Sequence, residues 1–460
     1  MECINKTSCL FLRSALTEHN PFNNTTDVLA WIREQNRKIT VNVQCLPFAD
    51  IVPEWQFDAG GNLRHQSGKF FSIEGIRVQT NYGNVPEWEQ PIINQPEIGY
   101  LGIITKEIDG ILYFLLQAKV EPGNVNNVQL SPTLQATRSN YSQVHKGRKP
   151  LYLEYFQKAQ PHQVLLDQLQ SEQGARFLRK RNRNIIIKVD EEIPVYDNFI
   201  WLTLAQIKAL ASIDNIVNMD TRTVISGILL RADETIKLPD VWCASMLSEK
   251  QPYHKLTEIL SWLTSLKCKY DLNVTSIPLN QVKYWHTTEM AIEHEQGQFF
   301  RVIAAQVEIN NREVKTWCQP LIAPAQQGLT AFVVRKINDT YHFLVQGKVE
   351  SGNFDTVEMA PTVQCITGNY TGKNNQPFVD YVLNARPEQI KIDTLQSEEG
   401  GRFYQEQNRN MIIEADDTFP IDYLPENYIW VSFQQLMMFL QFNNYLNIQS
   451  RSLLSLIKLV

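Results

Sequence analysis

The polar and apolar positions alternate between two periods. In DVLAWIREQNRK, from Asp27, the apolar residues Val28, Trp31 and Ile32 fall three and four apart. That is the spacing of an amphipathic helix, and Asn24-Thr25-Thr26 offers caps ahead of it. From Gly99–Glu107 and Ile111–Val120 the chain turns β-branched and aromatic. These runs predict two strands, and Ile108-Asp109-Gly110 between them is a hairpin signal. The second strand runs into Lys119-Val120-Glu121-Pro122-Gly123-Asn124, a turn at a sheet edge where polar groups can face a ligand. Apolar helices follow around Leu204–Ser212 and Asp220–Leu230.

The whole pattern then recurs. QAKVEPGNVNNVQLSPTLQATRSNY at Gln117–Tyr141 returns as QGKVESGNFDTVEMAPTVQCITGNY at Gln346–Tyr370. Thr26–Trp31 returns as Thr257–Trp262, Trp88 as Trp317, Ser171-Glu172-Gln173-Gly174 as Ser397-Glu398-Glu399-Gly400, and Asn182-Arg183-Asn184 as Asn408-Arg409-Asn410. A period this long is a duplicated domain rather than a solenoid. The expected division is a polar lead-in over 1–25, a first domain over 26–230, a linker over 231–252 and a second domain over 253–460. Val241-Trp242 is expected to dock the linker. About half of each repeat reads as strand with helices before and after, an α+β class.

Composition narrows this further. A chain of 460 residues, 43% apolar and 20% charged, with a net charge of −6, is soluble and globular and argues against a general nucleic-acid binder. Seven scattered cysteines without a CxxC pair predict free thiols, no zinc site and a cytoplasmic protein. No run approaches a membrane span and no secretory signal is expected.

GKVExGN at the end of a hairpin strand resembles the start of a Nudix box. Laid from Gly347, the box puts its first Glu on Asn353, its Arg-Glu pair on Pro361-Thr362 and its Glu-Glu pair on Cys365-Ile366. In the first copy that last pair falls on Ala136-Thr137. The carboxylates that would hold Mg²⁺ are absent from these positions, so the expectation is two tandem Nudix-like domains without Nudix metal chemistry. The combination of QAKVEPGN…VQLSPTLQATRSNYSQVHKG, LQSEQGxRFLRKRNRN and SEEGGRFYxxxNRN resembles the sugar-nucleotide 2,3-dehydratases of deoxysugar biosynthesis, from about Asp27 to the C-terminus. The resemblance implies a homodimer acting on a dTDP-4-keto-6-deoxyhexose without a cofactor. It also implies a 3,4-diketo-2,6-dideoxy product that a downstream 3-ketoreductase consumes, and it leaves two candidate pockets of which one need be catalytic. A Nudix-type nucleotide-sugar hydrolase and a non-catalytic sugar-nucleotide binder are the competing readings.

That chemistry needs a base, an acid, donors for the C4 oxygen and cations for the diphosphate. Tyr141 and His145 are the leading acid–base candidates, although Tyr141 also reads as a stacking or core residue and His145 as a phosphate ligand. Lys119 and Glu121, two apart on a strand, share a face and read either as pocket residues or as a surface ion pair. Gln129, Thr133, Gln135, Thr137 and Asn140 are candidates for the sugar hydroxyls; Trp88 stacks on the ligand or fills the core. Arg148, Gln173, Arg176, Arg179, Asn182 and Arg183 are candidates for the nucleotide. Lys348, Glu350, Thr362, Gln364, Tyr370, Arg402 and Asn408 form the second pocket. The cations Arg179-Lys180-Arg181 become Gln405-Glu406-Gln407 in the second repeat. The N-terminal pocket is therefore expected to be the working one, with Arg176 mattering more than Arg402.

Overall fold

The computed structural model describes residues 2–137, 149–311, 314–366 and 376–460. Each half builds one seven-stranded and one five-stranded sheet. In the first half the larger sheet runs in the spatial order Val164–Ser171, Arg181–Val189, Gly99–Ile108, Ile111–Val120, Phe199–Thr203. Arg181–Val189 and Gly99–Ile108 are parallel and the other pairs are antiparallel. The second half repeats this order with Ile390–Ser397, Gln407–Glu414, Gly328–Ile337, Thr340–Lys348 and Tyr428–Ser432. The class is mixed α+β in two repeated halves.

The hairpin forms where the pattern places it. Ile108 pairs with Ile111, and Asp109 and Gly110 take φ of 51° and 79°. Its twin makes the same turn with Asn338 and Asp339 at 51° and 61°, side chains that tolerate the left-handed region. Helices Thr25–Lys38 and Leu256–Lys269 open the halves, the first capped by the Asn24 side chain accepting from the Asp27 N–H. Residues 1–25, expected as a polar lead-in, contain the helix Glu2–Ala15. Phe11, Leu12 and Ala15 are buried in the main core, and the Ser14 hydroxyl donates to the Leu112 carbonyl. The alternation of apolar and polar residues in this stretch is a helical face rather than a loose tail. In the linker, Trp242 meets the Tyr341 ring at 4.5 Å and donates to the Lys458 carbonyl, while Val241 is exposed.

The halves exchange strands. Val41–Leu46 leaves the first half to pair with Phe300–Ile309 of the second, and Leu272–Ile277 returns to pair with Ser72–Thr80 of the first. Both strands alternate in burial, so each needs a sheet to cover one face. The largest apolar core accordingly mixes Leu116 and Leu202 with Phe332 and Leu453. The Gly-Asn turns lock the exchange. Gly123 N–H donates to the Gly400 carbonyl and Gly352 N–H to the Gly174 carbonyl. A Cβ on Gly123 would lie 1.6 Å from the Phe403 carbonyl oxygen, so no other residue fits there without displacing the partner segment.

Candidate functional site

The Ser-Glu-x-Gly segments reach across the pseudo-twofold: Gly174 lies against Glu350 and Asn353, and Gly400 against Asn124, at the strand ends of the opposite halves. A cavity of about 1110 Å³ opens beside the end of strand Ile111–Val120. Lys119, Glu121, Gln135, Thr137, Glu172, Lys180 and Asp220 of the first half line it, and Trp317, Gln319, Glu399, Gly401 and Arg402 of the second half complete it. Trp55, His65 and Phe71 form an aromatic flank; the Arg402 guanidinium lies 4.1 Å from the Phe71 ring centre.

Lys119 and Glu121 do share a face, and their pair is buried rather than superficial. Lys119 Nζ lies 3.2 Å from Glu121 Oε1, with side chains 11% and 7% exposed. Gln135 donates to the same oxygen at 2.9 Å and is itself met by Asn218. Glu121 Oε2 is buried with no hydrogen-bond partner. The carboxyls of Glu121, Asp220 and Glu399 bring one oxygen each within 4.8 Å of one another. Burial and the charges of Glu399, Glu121 and Glu172 push the Asp220 carboxyl well above the ordinary range. Burial and Glu121 push Glu399 up to about 7. Carboxyls this close cannot all ionise, so the cluster retains a proton near neutrality. Among the described residues this is the one His, Cys or carboxylate group able to converge on a cation. The Lys119 ammonium already serves Glu121 there.

Lys180 is buried against the Glu97 carbonyl, and desolvation lowers it to about 8. Asn182 donates to Glu172 Oε1 and accepts from the Gly99 N–H, and so fixes the cavity wall.

Other sequence candidates lie elsewhere. Arg176 stands over the Phe300 ring at 4.2 Å, among the charges of Glu350, Glu398 and Glu406, beside the second repeat's strand end. Arg402 is its counterpart in the cavity, the reverse of the sequence expectation, because the segments cross between halves. Gln173 is likewise buried outside the cavity wall. Arg179 is exposed at φ 48° and Arg183 clamps Asp167 with bonds of 2.7 and 2.6 Å. Thr133 touches the cavity, but its hydroxyl bridges the Leu115 carbonyl and the Ile104 N–H, so it is a strand fastener; Thr362 does the same for Leu344 and Val333. Gln129 is buried and accepts from the Ser397 hydroxyl. Trp88 donates to Gln90 away from the cavity, whereas its twin Trp317 lines it. Tyr141, His145, Asn140, Arg148 and Tyr370 lie outside the described residues; Thr137 and Lys149, at the ends of the first such segment, both line the cavity.

In the twin arrangement Lys348 and Glu350 are present and Gln364 donates to Glu350 Oε1 at 2.8 Å. Asn408 repeats the Asn182 contacts, to Glu398 and Gly328. The partners differ: Asp220 becomes Gln449 and Glu399 becomes Gln173. The Glu121–Asp220–Glu399 trio thus has no counterpart around Glu350, where Glu398 and Glu406 stand near Arg176 instead. Neither Asp220 nor Glu399 stands out in the sequence alone, but both differ in charge from their duplicates, the same signal that singles out Arg179–Arg181.

A family model described as NDP-hexose 2,3-dehydratase matches residues 25–228 and again 256–457. The chain belongs to the NDP-hexose 2,3-dehydratase family. A protein of Saccharopolyspora spinosa named dTDP-4-dehydro-6-deoxy-α-D-glucopyranose 2,3-dehydratase is 46% identical, over 97% of this chain and 93% of its own. Proteins of the same name from Amycolatopsis orientalis and Streptomyces violaceoruber are 43% and 41% identical, over 96% and 93% of this chain and 92% and 96% of theirs. The activity that the family's name describes, 2,3-dehydration, is that of a hydro-lyase. No helix among the described residues is long and apolar enough to cross a membrane.

Proposed function

We propose that the chain removes the C2 hydroxyl of dTDP-4-keto-6-deoxyglucose in this cavity, giving a 3,4-diketo-2,6-dideoxy sugar nucleotide. The observation that carries the reading is the buried Lys119–Glu121 pair at the floor of a cavity that also holds Arg402 and Lys180. The C4 ketone acidifies C3–H. A base takes that proton and an enolate forms; the C2–O bond then breaks and water departs. The remaining enol moves its hydroxyl proton to C2 and becomes the second ketone. Arg402, Lys180 and Lys149 supply the positive charge for the diphosphate. Gln135 and Thr137 face the sugar, and Tyr141 and His145 remain the acid–base candidates that the sequence offers. Lys119, already a donor, is suited to the C4 oxygen, where an oriented donor contributes about 10²–10³-fold.

The finer setting is inferred in the same way. The protein works in the cytoplasm, consistent with the free thiols of Cys45, Cys268 and the other described cysteines. It acts as a homodimer and passes its diketone to a 3-ketoreductase. Each half is read as Nudix-like from the hairpin that runs into GKVExGN, with strands Leu134–Ala136 and Val363–Ile366 where the box would form a helix.

The test supplies dTDP-4-keto-6-deoxyglucose and traps the diketone with a coupled 3-ketoreductase. Turnover without added metal is expected. Intact binding with no trapped product would overturn the reading in favour of a non-catalytic binder.

A further inference from the structure

The elimination has two proton transfers, and the Lys119–Glu121 pair accounts for neither end of the second. The C2 hydroxyl must leave as water, because hydroxide is a poor leaving group. An acid that still holds its proton near neutrality must therefore lie in the cavity. Three observations converge on where it is. Asp220, 2% exposed at the start of helix Met219–Ser226, and Glu399, on the segment that crosses from the second half, bring carboxyl oxygens within 4.8 Å of each other and of Glu121. Glu121, itself 6% exposed, has one oxygen, Oε2, with no partner in this space. The duplicate site keeps Lys348 and Glu350 but replaces both of the others with glutamine, Gln449 and Gln173, whose amide has no acidic proton to give.

We propose that the Asp220–Glu399 carboxyl pair is the general acid of the dehydration, contributed jointly by the two repeats. As the C2–O bond of the enolate breaks, the proton held by the pair passes to the departing oxygen and water is released. The pair is left with one more negative charge and regains a proton from the base that took C3–H or from solvent, so the cycle consumes nothing. Burial and mutual repulsion keep that proton on the pair at neutral pH, which the raised Asp220 and Glu399 carboxyls reflect. The second repeat is therefore a working part of the enzyme, although its own strand end has glutamine in place of both members of this pair.

This inference rests on the dehydratase reading, and the two fail differently. The full-length chain is incubated in D₂O with dTDP-4-keto-6-deoxyglucose. Exchange at C3 is followed by NMR, and elimination by trapping the diketone with a 3-ketoreductase. In Glu399→Gln and Asp220→Asn, elimination is expected to fall about 10²–10⁴-fold, while substrate binding and C3 exchange persist. Glu399→Gln is the deciding variant if Asp220→Asn does not fold, since the duplicate position already accommodates Gln173. Elimination within about threefold of wild type in Glu399→Gln would overturn the assignment. So would parallel loss of exchange and elimination with binding intact, or wild-type elimination that a chelator abolishes and a divalent cation restores. A wild-type chain that binds the sugar nucleotide but neither exchanges C3 nor eliminates water overturns the dehydratase reading, and this inference with it.

Discussion

Glu399 shows how far a residue's chemistry depends on its neighbours. It faces Glu121 and Asp220 across the cavity, with Glu172, Lys119 and Arg402 around them. A general acid works only while protonated, so elimination should decline as pH rises through about 7, where burial and Glu121 have moved this carboxyl. The pH profile of kcat in wild type is expected to lose activity on that basic side. Glu399→Gln should retain only weak activity whose profile lacks this limb. An unchanged limb in the variant would assign the titration to another group. Lys119 and Glu121 were legible from the chain because a strand alternates faces and both fell on one of them. Asp220 was not, since an acid at a helix start is the ordinary complement to the helix dipole. Glu399 was not, since nothing local says that its segment serves the other repeat.

At the scale of elements, the hairpins, the opening helices and the closing helix pairs could be read from periodicity and turn chemistry. The strand exchange could not. Val41–Leu46 and Leu272–Ile277 have the same alternation and the same neighbours in sequence, so either could satisfy either sheet. The Gly-Asn turns hold the two halves together elsewhere, with Gly123 packed on the Phe403 carbonyl. Gly123→Ala should destabilise the fold by about 1–3 kcal/mol through overpacking and should depress dehydration by shifting Glu399 and Arg402. Gly352→Ala, whose Cβ would meet the Phe177 carbonyl oxygen at 1.8 Å, should cost similar stability with a smaller loss of rate. Denaturant midpoints and initial rates of the two variants separate these effects. Equal rate losses would remove the asymmetry between the two strand ends.

Across the whole molecule, many charged groups are buried where the halves meet. Arg222 donates to Ser452 and to the Ser397 carbonyl, and Arg451 donates to Thr223 and to the Ser171 carbonyl; each binds the opposite half. Burial lifts Glu358 and Glu399 to about 7 and Glu398 to about 8. These carboxyls keep protons in the folded chain that they have lost in the unfolded one, so the stability they contribute is complete below about pH 4.5 and is lost as pH rises through 7–8. Burial also moves His342 down to about 4, which opposes this trend only below about pH 6.5. Lys180 and Lys208, lowered to about 8, reverse the trend above that pH. The melting temperature should therefore fall from pH 6.5 to 8; a rise across that window would contradict the buried-carboxyl assignment. The same meeting of halves makes the site composite, and one comparison tests this directly: kcat/KM for dTDP-4-keto-6-deoxyglucose in Arg402→Ala and Arg176→Ala, each corrected for its folded fraction. Loss of one charged contact to phosphate should lower kcat/KM about 10–100-fold in Arg402→Ala, with Arg176→Ala within about threefold of wild type. The opposite order would place the working pocket at the second repeat's strand end, beside Glu350 and Arg176.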